Sequence, residues 1–236
     1  MCGRFTETKV DPGLIAHRFG VLESAVPGET LGRFNVCPTE PVLAVCGERE
    51  ARALRWGLVP PWARKLAGGY EPINARSETL LEKRVFAPLI ASAEKRCLVV
   101  ADGWYEWLKP EQPRGDRIPF RYTVDGGELF AFAGLWDERR VGGERVASVT
   151  ILTTAANAVC APVHDRMPCV LASREAEAAW LAPEVDADAA LELLLTLDAP
   201  RTTAAPANPA VNRAGVEGPE LLVPPEAEEP AQLRLV

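Results

Sequence analysis

Cys2 stands directly after the initiator methionine. Removal of Met1 would give this residue a free α-amine beside its thiol. An α-amine titrates near about 7.7 to 8.0, so part of it is an uncharged nucleophile at neutral pH. Such an amine attacks an aldehyde, and the neighbouring thiol can then close the imine to a five-membered thiazolidine ring. The other interpretation is that Cys2 is merely the second encoded residue, and this position alone favours that simpler interpretation.

Glu106 lies in the segment GWYEW. The two-residue alternation of a strand places it on the same face as Trp104, with Tyr105 and Trp107 on the opposite face. A carboxyl group beside an indole is partly removed from water, which raises its pKa toward neutrality. It can then give and take the protons that imine formation needs. A glutamate at a strand edge that faces solvent is an equally good interpretation of this segment alone.

His164 lies in VHDRMP, a polar cluster between two apolar segments. Histidine titrates near neutrality, so it can move a proton or orient an attacking amine. A single histidine is more often a structural residue. The neighbouring Asp165 and Arg166, in a loop bounded by apolar runs, favour a functional role.

The segment INARSET places Asn74 and Arg76 just before a predicted helix. An amide there can hydrogen-bond a sugar hydroxyl or a carbonyl, and an arginine can hold a phosphate near the helix start. A capping turn is the simpler interpretation of these residues. Trp62, in VPPWA, offers a stacking surface for an unpaired base, or it is a core aromatic.

Composition and charge bound the remaining possibilities. Hydrophobic residues make up 47% and charged residues 25% of the 236 residues, the balance of a folded globular protein. The net charge is −7, but the acidic excess lies after Arg174, so the earlier part is nearly neutral and can still gather arginines in one groove. The six cysteines form no C-x-x-C pair, and there are two histidines. We therefore predict reduced thiols, no metal site and no cofactor.

The positions of turn residues and apolar runs predict an α+β fold, a β-rich single domain with a barrel-like curled sheet flanked by helices. We predict strands at 41–46, 51–56, 97–107, 118–124, 128–133 and 145–153. We predict helices at 11–20, 78–92, 173–181 and 186–197. The domain is expected to span residues 1–224, and the Pro- and Glu-rich residues 225–236 are expected to form a disordered acidic tail.

Six separated segments, in order, carry a resemblance to a known family: MCGRF, NVCPTEPV, RWGLVPPWA, INARSET, RCLVVADGWYEW and VHDRMP. Together they closely resemble the SOS response-associated peptidase family, whose members shield abasic sites in single-stranded DNA. The resemblance runs from Met1 to about Pro224. It implies a β-rich domain around a barrel-like core, with a positively charged cleft that ends at the mature N-terminal cysteine.

The resemblance also implies roles for individual residues. According to this resemblance, Cys2 is the nucleophile and Asn74 is an amide that orients it. Glu106 is then the general acid and base, and His164 is the partner of Glu106. Contacts to the DNA are implied for a group of arginines and one stacking aromatic, namely Arg4, Arg76, Arg84, Arg166 and Trp62. Some relatives carry a second aromatic beside the first, where this chain has Ala63.

The implied activity is a covalent thiazolidine crosslink between Cys2 and the ring-opened abasic-site aldehyde, with AP-lyase activity and self-removal of Met1 as accompanying reactions. We expect single-stranded DNA with abasic sites as the partner. We expect a monomer in the cytoplasm, on the nucleoid when it acts on DNA, without a membrane partner. Two alternatives stay open: a cysteine peptidase or amidohydrolase acting on peptides, and a non-catalytic module that binds single-stranded nucleic acid.

Overall fold

A computed structural model describes residues 2–66, 69–109 and 117–223. Four α-helices are present in this part: α1 (Pro12–Phe19), α2 (Ala87–Ile90), α3 (Arg174–Leu181) and α4 (Ala187–Glu192). The strands in the same ranges are β1 (Arg4–Glu7), β2 (Arg33–Val36), β3 (Pro41–Cys46), β4 (Glu50–Trp56), β5 (Asn74–Arg76), β6 (Arg96–Ala101), β7 (Gly103–Leu108), β8 (Ile118–Val124), β9 (Phe130–Val141), β10 (Glu144–Ala155), β11 (Arg166–Pro168) and β12 (Thr202–Pro206).

Five strands close into a barrel in the order β10, β4, β3, β6 and β9, because β9 pairs again with β10. All of these pairings are antiparallel except the β4–β10 pairing, which is parallel. The second half of β10 leaves the barrel and pairs with β5 on one side and β11 on the other. Strand β10 therefore links the barrel to two short strands that carry candidate site residues.

A second sheet of five antiparallel strands, in the order β12, β8, β7, β1 and β2, packs on the barrel. The contact is aromatic: the ring of Phe5 lies 5.2 Å from Trp56 and 5.8 Å from Phe132, both on barrel strands. Trp104 of β7 packs edge-on to Phe132 at 6.2 Å. The sheet and the barrel thus share one apolar core, and alternate barrel residues pack against the helices in another.

The predicted fold class is confirmed: the chain is a mixed α and β single domain with a closed five-stranded barrel and few helices. Helix α1 also begins and ends as predicted, because Asp11 accepts a hydrogen bond from the Gly13 amide at 2.8 Å and Gly20 adopts a left-handed φ of 69°. The described part of the chain holds no helix that is both long and apolar enough to cross a membrane.

The prediction of one strand over 97–107 is wrong, because the chain changes sheet at Asp102 and Gly103. The carboxylate of Asp102 is buried and accepts hydrogen bonds from the Thr6 hydroxyl at 2.5 Å and the Thr8 amide at 3.0 Å. A Cβ atom on Gly103 would lie 2.8 Å from the carbonyl oxygen of Tyr122. A glycine is therefore required where β6 of the barrel becomes β7 of the second sheet.

The prediction of a helix over 78–92 is also wrong. A 3₁₀ turn at Ser77–Thr79 and the single helical turn α2 replace it. Pro88 explains the difference, since a proline inside a continuous helix removes an amide donor and clashes with the carbonyl four residues earlier. Helix α4 is shorter than the predicted 186–197 and ends at Glu192. The predicted tail at 225–236 lies outside the described residues, and the boundary at 224 stays a prediction.

Candidate active site

Cys2 is fully buried, with 0% of its surface exposed, just before β1. Its main chain is held by Asn74, whose Nδ2 donates to the Cys2 carbonyl oxygen at 2.6 Å. Its Sγ donates to the carbonyl oxygen of Arg4 at 3.6 Å. The structure therefore brings two of the predicted site residues into direct contact across 72 positions of sequence.

Asn74 is fixed by its strand. It begins β5 and pairs with Ile151 of β10, which belongs to the barrel. The Oδ1 of its amide is buried and has no hydrogen-bond partner among the residues described. Because buried amide oxygens are nearly always satisfied, this atom is placed to accept a hydrogen bond from a bound group.

Glu106 lies on β7, which pairs with β1 in a register that joins Arg4 to Tyr105 and Phe5 to Trp104. Only 4% of Glu106 is exposed. Burial, with a smaller contribution from the negative charge of Asp165, raises its pKa from 4.5 to about 7. A carboxyl group in this state exchanges protons near neutral pH.

The side chains of β7 point alternately to two faces of the strand, as the sequence predicts. Trp104 stacks on Tyr122 at 5.3 Å within the core shared with the barrel. Tyr105 and Trp107 pack together on the other side, 6.5 Å apart. Glu106 therefore faces the same interior as Cys2, and its charge raises the pKa of the Cys2 thiol, after the larger effect of burial.

His164 lies in the loop that returns from β10 to β11. Its Nδ1 is 3.0 Å from the Arg166 amide and 2.9 Å from Oδ1 of Asp165. A neutral imidazole accepts from the amide through Nδ1, whereas a bond to the carboxylate requires a protonated ring. Burial lowers the pKa of His164, which favours the neutral form with its proton on Nε2.

The predicted phosphate-binding arginines differ in their surroundings. Arg76 and Arg84 are exposed, and Arg76 lies beside Asn74 on β5. Arg166 is half-buried and makes two parallel bonds to the carboxylate of Glu78, at 2.6 and 2.8 Å. It also donates to the carbonyl oxygen of Thr153 at 2.6 Å, which fixes its guanidinium at the end of β10.

Arg4 is tied into the protein. Its Nη1 donates to Asn35 Oδ1 at 2.8 Å and to the Val211 carbonyl oxygen at 2.7 Å. It lines a cleft of about 510 Å³ next to Cys2, together with Gly3, Pro38, Trp107, Arg117 and Asn212. Two arginines therefore stand at this opening. Trp62 lies elsewhere, on the loop between β4 and β5, with 58% of its surface exposed.

Two residues near Glu106 carried no recognisable signal in the sequence. Tyr122 is fully buried, and its hydroxyl has no hydrogen-bond partner among the residues described. Cys160 is buried, and Glu106 contributes to raising its pKa to about 12, after burial itself. The alternation of β8 places Tyr122 on one face with Phe120, but nothing in the sequence indicates that this face meets the site.

Among the described residues, no group of three or more histidine, cysteine, aspartate or glutamate side chains could hold a metal ion.

Comparison with protein families gives a match over residues 1–214 to the model described as SOS response associated peptidase (SRAP). The chain belongs to the SOS response associated peptidase family. A relative of this chain, the abasic site processing protein YoqW of Bacillus subtilis (strain 168), is 37% identical over 94% of this chain and 99% of its own length. The abasic site processing protein YedK of Escherichia coli (strain K12) is 32% identical over 95% of this chain and 100% of its own.

Solved structures share the fold of this chain. A crystal structure of a protein from Bacteroides thetaiotaomicron matches with a TM-score of 0.81, over 94% of this chain and 99% of the other, at 24% identity, which speaks for the fold alone. One from Bordetella bronchiseptica matches with a TM-score of 0.72 at 29% identity, over 88% of this chain and all of the other.

Proposed function

We propose that this chain processes abasic sites in single-stranded DNA by forming a covalent thiazolidine between Cys2 and the ring-opened sugar aldehyde, as part of a DNA-damage (SOS) response. The observation that carries the proposal is the placement of Cys2. Asn74 holds its carbonyl oxygen, and the buried carboxyl group of Glu106 faces the same interior. Two relatives of the chain, YoqW and YedK, are named abasic site processing proteins, and these names support the choice of lesion.

The reaction begins when removal of Met1 gives Cys2 its α-amine. The amine nitrogen attacks the aldehyde carbon and gives up one proton, and the carbonyl oxygen takes one proton to become the hydroxyl of a carbinolamine. Glu106 donates a proton to that hydroxyl, which leaves as water and gives an iminium ion. The thiol sulfur then adds to the iminium carbon and returns its proton to Glu106. Amine, thiol and aldehyde thus become a thiazolidine and one water, and no oxidant is required.

The electrostatics of the site suit this order of events. A carboxyl group with a pKa of about 7 is protonated often enough to act as an acid and ionised often enough to act as a base. Burial and the Glu106 charge raise the pKa of the Cys2 thiol, so sulfur keeps its proton until the iminium forms. Asn74 Oδ1 accepts a hydrogen bond from the amine, and Nε2 of His164 donates to the sugar oxygen.

A cysteine peptidase is the less favoured alternative. Such an enzyme attacks a peptide through a thiolate, which requires a pKa lowered by a neighbouring cation. The surroundings of Cys2 instead raise the pKa of its thiol, chiefly through burial. We propose that proteolysis is limited to removal of Met1, and that β-elimination from the iminium gives a minor strand-cleaving activity.

The direct test is a denaturing gel of the wild-type protein after incubation with single-stranded DNA that contains one abasic site. We expect a shifted band without any reducing agent, because a thiazolidine does not need borohydride to survive, and no band with undamaged DNA. Intact mass should show that Met1 is absent and Cys2 unmodified. A protein that retains Met1, or that gives no adduct once Met1 is removed, would exclude this function.

The arginines around the site should control affinity. Alanine at Arg76, Arg84 or Arg166 should weaken binding to single-stranded DNA, and each lost phosphate contact should reduce the slope of log affinity against log salt by roughly 0.7. Fluorescence anisotropy at several salt concentrations measures this slope. Arg140→Ala is the matched control, because Arg140 is exposed at the β9–β10 hairpin, at the other end of β10. A slope equal to that of wild type in Arg76→Ala or Arg166→Ala would remove that residue from the interface.

A further inference from the structure

Tyr122 places a hydroxyl group in the interior beside the candidate site. The residue is fully buried, and its hydroxyl has no hydrogen-bond partner in the part of the chain that the structure describes. Its ring is stacked on Trp104, with 5.3 Å between the centroids and 16° between the planes, which restricts where the hydroxyl can point. Because nearly all buried polar groups are hydrogen-bonded, a buried hydroxyl without a partner calls for an explanation.

Strand pairing brings Tyr122 close to Glu106. Strand β8 pairs with β7 so that Tyr122 lies opposite Trp104. Two residues earlier on β8, Phe120 lies opposite Glu106. By the two-residue period of a strand, Tyr122 and Glu106 share one face of the sheet. They are therefore diagonal neighbours, about 7–8 Å apart at their Cα atoms, a span that long side chains bridge.

The hydroxyl of Tyr122 is a hydrogen-bond donor at neutral pH. Burial, then the neighbouring Cys160 and Glu106, raise its pKa, so it keeps its proton. The two nearby acceptors are unequal. Burial raises the pKa of the Cys160 thiol to about 12, so the thiol stays neutral, and its sulfur is a weak acceptor. An ionised carboxylate accepts several hydrogen bonds, and these are of the stronger, charge-assisted kind.

The other titratable groups that face Glu106 have different effects or different tasks. Asp165 is negative and opposes ionisation of Glu106. The Cys2 thiol is buried with a raised pKa, and in the proposed reaction it is a reactant. The α-amine of the mature Cys2 must lose its proton before it attacks, and His164 is assigned to the sugar oxygen. Tyr122 is thus the group whose proton can serve the Glu106 carboxylate.

We propose that the Tyr122 hydroxyl donates a hydrogen bond to the carboxylate of Glu106 once that group has given its proton to the carbinolamine. The bond holds the carboxylate in place until the thiol returns the proton. Tyr122 is then a positioning residue, since it acts on the reacting atoms through Glu106. This inference rests on the proposed function and adds to it the group that controls how readily Glu106 gives up its proton.

The test follows the titration of Glu106 in the full chain without DNA. Carbon-13 NMR of the glutamate carboxyl groups reports this titration, and Glu106→Gln identifies the signal. A hydrogen bond to the ionised form lowers a carboxyl pKa, so Tyr122→Phe should raise the pKa of Glu106 by about one to two pH units. Tyr105→Phe is the matched control. Tyr105 is fully buried on the other face of β7, and its hydroxyl donates to the Phe34 carbonyl oxygen at 3.0 Å.

The outcome separates this inference from the proposed function. An unchanged or lowered pKa of Glu106 in Tyr122→Phe overturns the inference, even if wild type forms the adduct normally. A raised pKa in Tyr122→Phe and not in Tyr105→Phe supports it, even if wild type forms no adduct. An equal rise in both variants contradicts it, because the cause would then be a general change in packing. With abasic DNA, the falling limb of the adduct rate in Tyr122→Phe should move to higher pH by the same amount, with unchanged affinity.

Discussion

Cys2→Ala is expected to abolish the stable adduct with abasic single-stranded DNA. After removal of Met1 this variant still has an α-amine, so it can form an imine, but it has no sulfur to close the ring. Its imine hydrolyses during denaturation, and a band should appear only when borohydride reduces it. The measurement is the shifted fraction on a denaturing gel with and without borohydride.

Cys37→Ala is the matched control for this variant. Cys37 is also buried, and its Sγ donates to a carbonyl oxygen two residues away, that of Asn35 at 3.2 Å, much as Cys2 donates to Arg4. It should form the adduct at the wild-type rate. A stable, borohydride-independent band in Cys2→Ala would show that another nucleophile is responsible.

Glu106→Gln should slow adduct formation on the order of 10²-fold or more, because the glutamine cannot donate or accept the proton. Affinity for the DNA should be retained, since the side chain is buried and the amide keeps its shape. Single-turnover rates at saturating protein measure the chemical step, and anisotropy measures binding. A loss of affinity with an unchanged rate would place Glu106 in binding rather than in proton transfer.

The pH dependence gives the same residue a sharper test. In the wild type, the uncharged fraction of the amine grows toward about pH 8, while the protonated fraction of Glu106 falls as the pH rises through about 7. The rate should therefore be bell-shaped in pH. In Glu106→Gln the falling limb should disappear. Glu7→Gln is the matched control, because Glu7 is buried with a pKa raised to about 8, on the same sheet, and its loss should leave the bell unchanged.

Much of the fold could be predicted from the sequence, since strands such as β3, β4 and β8 are bounded by turn residues and long enough to show a pattern. The short strands that position the candidate site could not be predicted from the sequence. Strands β1, β5 and β11 have three or four residues, which is too short for a two-residue period to stand out. The change of sheet at Gly103 depends on the approach of the Tyr122 carbonyl, which is a tertiary contact.

The candidate site shows the same division. The residue types of Cys2, Asn74, Glu106 and His164 suggested their chemistry, and the order of the motifs suggested the family. The bond from Asn74 to the Cys2 carbonyl, and the neutral tautomer of His164, depend on distances that no local pattern contains. The sequence also did not indicate that Tyr70, eight residues after Trp62, lines one cleft with it on the loop between β4 and β5.

The many pairings of β10 also bear on when the protein becomes reactive. This strand pairs with Arg166 through Ala155, only 11 residues away, but it holds Asn74 through Ile151, 77 residues away along the chain. Pairings between distant segments form late in folding, because long loops must close first. During synthesis the strand that orients Asn74 leaves the ribosome about 150 residues after Cys2. We infer that the aminothiol is oriented for attack only after the barrel has closed. The unfinished chain therefore reacts less with free aldehydes in the cell.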